Sequence, residues 1–204
     1  MWIVNDATIN GSETGTSFRQ ALKFMKIGFN LHDTMIWCKD GGGEIGSNYC
    51  YVQNFEYMFI LSKGKPKTIN LIKDKPNGSY KKGGKNTLTV PVRTRRQQDG
   101  TFVDKTRTIT LNEFSKRNNW WLLTPTRQEG SAFHPAIFPE KLVHDHIISW
   151  SNEGDLILDP FMGSGTTAKV ARALGRKYIG FEICKEYCDL ANKRLMDTRT
   201  LWDL

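Results

Sequence analysis

The chain has 204 residues, 39% of them hydrophobic and 25% charged, with 11 Phe, 6 Trp and 6 Tyr, which suits one good core and excludes a disordered chain. No apolar run approaches the roughly 18 residues of a membrane span, and Met1–Asp6 lacks the order of an export signal, so a cytoplasmic protein with no membrane partner is expected. The net charge of +8 is uneven: residues 63–117 hold 15 Lys and Arg against 4 Asp and Glu, a balance of +11, and the remainder stands at −3.

In chain order, Trp2-Ile3-Val4 reads as a short strand, and Thr16 or Ser17 as the cap of a helix through Phe18, Ala21, Leu22 and Met25 that stops at Gly28. Asp33–Cys38 and Phe55–Ser62 read as apolar strands on either side of a loop opened by Gly41-Gly42-Gly43. From Pro66 to about Arg117 periodicity fades, and Gly, Asn, Lys, Arg and Thr dominate, so the stretch reads as an insertion with small strands at best. Trp120-Trp121 leads into Leu122-Leu123 and is expected in the core.

Order returns at Pro139, which suits the first turn of a helix with Leu142, Val143, His146, Ile147 and Trp150 on one face. A strand over 155–159, a helix over 166–174, a strand over 177–182 and a helix over 185–196 follow, a βαβα alternation that implies parallel strands. The chain therefore divides into residues 1–65, middle strands and a helix; 66–131, the basic insertion; and 132–204, the βαβα unit.

The sharpest signal is Asp159-Pro160-Phe161-Met162-Gly163-Ser164-Gly165-Thr166, where a buried strand runs into a glycine turn and then a helix. Glycines let ligand atoms approach the backbone, and the first amides of a helix face an anionic group. Glu182 ends the next strand 23 residues after Asp159, near the spacing at which a carboxylate meets ribose hydroxyls. A lone Gly-x-Gly is usually a tight turn and a lone Glu a solvated acid, but together these elements favour a nucleoside cofactor. The turn lacks both G-x-G-x-x-G and G-K-[ST], which disfavours a pyrophosphate ligand.

Asp159-Pro-Phe-Met-Gly-Ser-Gly-Thr-Thr, with Tyr178-Ile-Gly-Phe-Glu-Ile downstream and His134-Pro-Ala-Ile-Phe-Pro-Glu-Lys-Leu upstream, closely resembles the DNA methyltransferases that modify the 6-amino group of adenine or the 4-amino group of cytosine. The order resembles their circularly permuted beta class, in which the catalytic region and the DNA-recognition insert precede the cofactor motifs. The stretches Gly28–Trp37 and Phe55–Gly64 are similar to the middle strands of these enzymes. The resemblance implies an α/β fold, a Rossmann-like methyltransferase sheet incomplete at its N-terminal side, with a basic insertion. It implies that Asp159, Pro160, Phe161, Gly163, Ser164, Gly165 and Thr166 hold the methionine end of S-adenosylmethionine, that Glu182 takes the ribose, and that His134 and Phe138 pack beside the cofactor. Double-stranded DNA is the expected partner of the +11 segment, since clustered cations gain affinity by releasing counterions from phosphates. Lys81, Lys82, Lys85, Arg93, Arg95 and Arg96 are its candidate contacts, weighed against a merely solvated charge run.

Methyl transfer to an exocyclic amine needs acceptors for the amino hydrogens and an aromatic face for the flipped base, supplied in this family by a [DNS]-P-P-[YFW] turn. None of the 7 prolines adjoins another, so no catalytic residue is assigned. The expectation is a carboxyl-terminal fragment, inactive alone, whose catalytic turn would precede Met1 or be carried by a companion chain. A noncatalytic DNA-binding or regulatory subunit would keep the basic insert without an occupied cofactor site. A small-molecule or protein methyltransferase would keep the turn and need no such insert. His144 and His146 are two apart and face different ways on a helix, so no metal site is expected, and Cys38, Cys50, Cys184 and Cys188 read as reduced thiols.

Overall fold

The computed structural model describes residues 1–39, 51–92, 105–124 and 138–197, and these form two compact units, Met1–Asn70 with Asn119–Leu204, and Leu71–Asn118. In the first unit, β1 (Trp2–Val4) runs antiparallel to β5 (Phe55–Ser62), β5 antiparallel to β4 (Asn30–Cys38), and β4 parallel to β10 (Trp120–Leu122), in the order β1-β5-β4-β10. The alternating apolar residues of these strands bury Met35, Trp37, Met58, Ile60 and Trp121 on one face. Each such side chain contributes roughly 1.5–3 kcal/mol by leaving water. Trp120, expected in the core with its neighbour, is 53% exposed, because successive residues of a strand point to opposite faces and only Trp121 faces the cluster. The indole of Trp37 ties β4 to the chain beyond β10 by donating to the Leu123 carbonyl at 2.9 Å.

A hairpin of β2 (Thr8–Ile9) and β3 (Ser12–Glu13), turned at Asn10-Gly11, leads into α1 (Thr16–Lys26). Neither Thr16 nor Ser17 caps this helix. Gly15, in the left-handed region at φ 62°, holds the cap position without a side chain, and Asp6 supplies the acceptor instead. Its Oδ1 accepts the Ser17 amide at 3.2 Å and the Thr14 hydroxyl at 3.0 Å, and its Oδ2 the Ser17 hydroxyl. An acceptor near a helix start serves orphan amides wherever it lies in sequence. Gly28, at φ 100°, ends the helix, its amide donating to the Met25 carbonyl.

The C-terminal βαβα alternation forms with slightly trimmed ends: β11 (Leu156–Asp159), α3 (Thr166–Ala173), β12 (Lys177–Gly180) and α4 (Lys185–Met196), preceded by α2 (Glu140–Trp150) after Pro139. β11 and β12 are parallel, with Asp159 opposite Gly180. α2 joins the two sheets: its Leu142 enters the cluster on the four-stranded sheet, while Val143 and Ile147 pack with Val170, Ala171, Ile157 and Tyr178. Neighbouring positions on a helix face different elements, which is how one turn can bridge two clusters.

The second unit consists of two antiparallel pairs, β6 (Lys75–Pro76) with β9 (Phe114–Ser115) and β7 (Thr87–Val92) with β8 (Lys105–Thr110). Arg117 donates through Nε to both carboxylate oxygens of Asp74, at 3.1 and 3.0 Å. Asn86 closes the loop before β7: its side chain accepts from the Lys81 amide at 2.7 Å and donates to the Lys81 carbonyl at 2.8 Å.

Candidate functional site

The Asp159–Thr166 turn lies at the carboxyl end of β11, as expected for a ligand site on parallel strands. Asp159 Oδ1 accepts the Phe161 amide at 3.0 Å, bending the chain sharply after the strand. Gly163 and Gly165 adopt φ 53° and 80°, in the left-handed region that favours glycine, so the two glycines of the motif meet a backbone demand. Ser164 and Thr166 are buried, whereas Pro160 and Phe161 stand at the surface.

Glu182 comes to the same place from the end of β12. Its Oε2 accepts the Gly163 amide at 2.9 Å, and its Oε1 accepts the Ile183 and Cys184 amides at 2.9 Å each. The Met162 amide donates to the Phe181 carbonyl at 2.9 Å and the Phe181 amide to the Asp159 carbonyl at 3.0 Å, so the two strand ends are laced across the turn.

The surroundings combine two carboxylates, Asp159 and Glu182, with the exposed apolar side chains Phe161, Phe181 and Ile183. Carboxylates accept from hydroxyl and ammonium groups, and exposed aromatic and aliphatic faces cover a purine. That donor set fits S-adenosylmethionine, with its ammonium, ribose diol and adenine, better than a phosphorylated ligand, which two acids would repel. Phe161 also meets Trp2 edge to face, ring centroids 6.1 Å apart. Phe138 is half-exposed, its ring 6.0 Å from that of Trp37. His134 lies outside the described residues.

Behind the turn stands a group that sequence reading does not single out. Arg194 of α4 donates through Nη1 to the Ser164 carbonyl at 2.8 Å, the Ser164 hydroxyl at 3.0 Å and the Thr166 hydroxyl at 3.2 Å. Its Nη2 donates to Glu140 Oε1 at 3.2 Å, which also accepts Lys169 Nζ at 2.6 Å. Within the sequence, Lys193-Arg194 in the last turn of a helix reads only as a complement to the helix dipole.

Of the candidate DNA contacts, Lys81, Lys82 and Lys85 are exposed on the loop that Asn86 closes; Arg93, Arg95 and Arg96 lie outside the described residues, as does Cys50. Residues 71–118 hold 12 Lys and Arg against 4 Asp and Glu, which equals the +8 of the whole chain. The first unit, with 17 of each sign, is neutral. His144 and Asp145 are hydrogen-bonded at 2.9 Å, and His146 packs against Trp121, ring centroids 4.5 Å apart, with Nε2 3.2 Å from the Met58 sulfur. Burial, above all, lowers the His146 pKa from 6.5 to about 3, so this imidazole is a neutral core group.

Comparison with known proteins gives the family and the fold. Residues 1–193 match the N6/N4 methyltransferase family model, described as DNA methylase. The orphan methyltransferase M.BamHII of Bacillus amyloliquefaciens is 56% identical over 200 residues, covering 96% of this chain and 73% of the relative. The type II methyltransferase M.HinfI of Haemophilus influenzae is 41% identical over 105 residues, 48% of this chain and 29% of its own length. Among solved structures, the M1.HpyAVI–SAM complex superposes with a TM-score of 0.60 at 24% identity, covering 95% of this chain and 72% of that one. The cytosine-N4-specific PvuII DNA methyltransferase gives 0.64 at 19% identity, covering 97% and 63%. At such identities these two establish the shared α/β methyltransferase fold.

Proposed function

The chain belongs to the N6/N4 DNA methylase family, and on that premise we propose that it binds S-adenosylmethionine at the Asp159–Thr166 turn and double-stranded DNA through residues 66–131. The observation that carries the reading is the clasp of Glu182 on the Gly163 amide, which brings the acid of one strand onto the glycine turn of its neighbour. When bound, S-adenosylmethionine supplies the methyl group for the amino group of a DNA base. Asp159 offers acceptors for the ammonium end, the Glu182 carboxylate receives the ribose hydroxyls, and Phe161 and Ile183 cover the adenine. Phe138 and His134 complete the cofactor's surroundings, and Lys81, Lys82, Lys85, Arg93, Arg95 and Arg96 hold phosphates. The SAM complex of M1.HpyAVI and the DNA-modifying relatives support this reading.

Transfer needs an acceptor turn with an aromatic face, and the 204 residues contain no Pro-Pro pair to form one. We propose that this turn is supplied from outside these 204 residues. Among the described residues β1 pairs only with β5 and β11 only with β12, and a cavity of about 450 Å³ lined by Met1, Ile60, Trp150, Leu156 and Ile157 touches both strands' surroundings. An added strand would satisfy such open edges and cover apolar side chains. The test is incorporation of labelled methyl from S-adenosylmethionine into plasmid DNA. The chain alone is expected to give none, and co-expression with the quarter of M.BamHII that the chain does not span is expected to restore it. Incorporation by these 204 residues alone would refute the requirement for a turn from outside them. DNA binding without cofactor binding would favour a noncatalytic subunit.

A further inference from the structure

The glycine turn is held from behind as well as from the ligand side. Gly165 has no side chain, and a Cβ built on it would lie 2.7 Å from the Cβ of Ala191, so α4 sits directly on the turn and any larger residue at either position would push it away. Three residues along the same helix face, Arg194 reaches the turn with a guanidinium that is only 11% exposed. The peptide between Ser164 and Gly165 is fixed at both ends: its carbonyl accepts from Arg194 at 2.8 Å, and its amide donates to the Met162 carbonyl at 3.0 Å. A peptide unit tied by opposite groups on opposite sides cannot rotate without losing both bonds, one of them charge-assisted. Glu140, at the start of α2, orients the guanidinium from its other edge and also takes Lys169 of α3. The starts of α2 and α3 and the end of α4 thus converge on one carboxylate and one guanidinium.

We propose that Arg194 and Glu140 are positioning residues of the cofactor site, acting through Ser164 and Thr166 to hold the glycine turn in its ligand-binding shape before the ligand arrives. Arg194 lies outside the motifs that carry the family resemblance, whereas Glu140 stands within the upstream His134–Leu142 segment and acts here through Arg194. The inference rests on the cofactor reading of the turn, but what it says of the turn's shape does not require a ligand. Preorganisation of this kind raises affinity by removing the ordering cost from the binding step. Arginine is required rather than any cation, because a planar fork reaches a carbonyl, two hydroxyls and a carboxylate together, while an ammonium acts as a point charge.

The experiment compares wild type with Arg194→Lys, Arg194→Met and Glu140→Gln by two readouts, amide hydrogen exchange of the peptide spanning 160–168 without ligand, and calorimetric binding of S-adenosylhomocysteine. Thermal unfolding of each variant reports global stability. Expected is faster exchange in that peptide than in β4 and β5 in both Arg194 variants, with ligand affinity at least tenfold weaker in Arg194→Met and partly recovered in Arg194→Lys. Glu140→Gln, which keeps the arginine, gives the same pattern at smaller amplitude and guards against a misfolded Arg194→Met. Exchange in 160–168 unchanged in the folded variants overturns the proposal. So does exchange that rises equally throughout the unit, which marks a general structural role. Absence of ligand binding by the wild type refutes the cofactor reading instead, while the exchange result still decides whether Arg194 shapes the turn.

Discussion

The two units are built on different principles. The first is electrically neutral and carries every buried residue among those described, with Met58, Leu142 and Ala171 fully enclosed. The second carries a charge of +8 and buries no described residue, being held by strand ladders, the Arg117–Asp74 pair and the Asn86 loop closure. Hydrophobic burial fixes positions to fractions of an ångström, as a site must be when an acid has to meet a particular amide. A ribbon of antiparallel pairs fixes a backbone path and leaves its cations in water, which suits a polyanion whose shape it must follow. The difference teaches that the proposed cofactor site lies where the core is, and the candidate DNA contacts where the described residues bury none.

Core truncation sharpens this comparison most. Leu142→Ala is expected to cost about 2–5 kcal/mol, because the side chain is fully enclosed between sheet and helix, and Leu88→Ala on the half-exposed β7 under about 1 kcal/mol. Urea unfolding monitored by tryptophan fluorescence measures both, and equal costs would break the contrast. Next in size, replacing Lys81, Lys82 and Lys85 together by Ala is expected to weaken DNA binding and to flatten its log–log salt dependence by roughly 2–3, since each lost phosphate contact removes about 0.9 from the slope. The same substitutions leave cofactor binding unchanged. Fluorescence anisotropy across a salt series tests this, and an unaltered slope would mean that these lysines contact no phosphate.

Acid acts on the first unit through His146 and Asp6. His146 has a folded pKa near 3 against 6.5 unfolded, so the unfolded chain binds more protons between those values and stability falls as pH drops below 6.5. The expected slope is about 1.4 kcal/mol per pH unit, and His146→Leu should remove it. Denaturant midpoints at pH 7, 6 and 5 read it out, and identical pH slopes for the two proteins would contradict the neutral-core assignment. Asp6 works in a separate window. Burial opposes its ionisation, but the Ser17, Thr14 and Thr16 hydrogen bonds outweigh that and lower its pKa below 3.8, so its contribution is present above 3.8 and lost as pH falls further. Asp6→Ala is expected to cost about 1 kcal/mol for a lost helix cap, checked by the same denaturant curves at pH 7.

Much of this was legible in the sequence, and the misses have causes. Period-2 apolar runs such as Phe55–Ser62 and the strand–glycine turn–helix at Asp159–Thr166 declare themselves, because local pattern and tertiary role agree there. The cap of α1 is not legible in local sequence because its acceptor, Asp6, lies ten residues before the first helical residue and reaches it only through the β2–β3 hairpin. Trp120 and Trp121 could not be told apart by composition, since a three-residue strand gives too little alternation to show which indole faces in. Arg194 carried no signal at all: its partners lie 28 to 54 residues away, and only the packing of α4 on Gly165 brings them together.

The most direct test of the cofactor site is calorimetric binding of S-adenosylmethionine to the purified chain, with Asp159→Ala and Glu182→Ala alongside. One site, weakened at least tenfold by each substitution while the fold is kept, is the predicted result. A folded chain that releases no heat, or that binds equally well in all three forms, would contradict the assignment of the glycine turn and its acid to the cofactor.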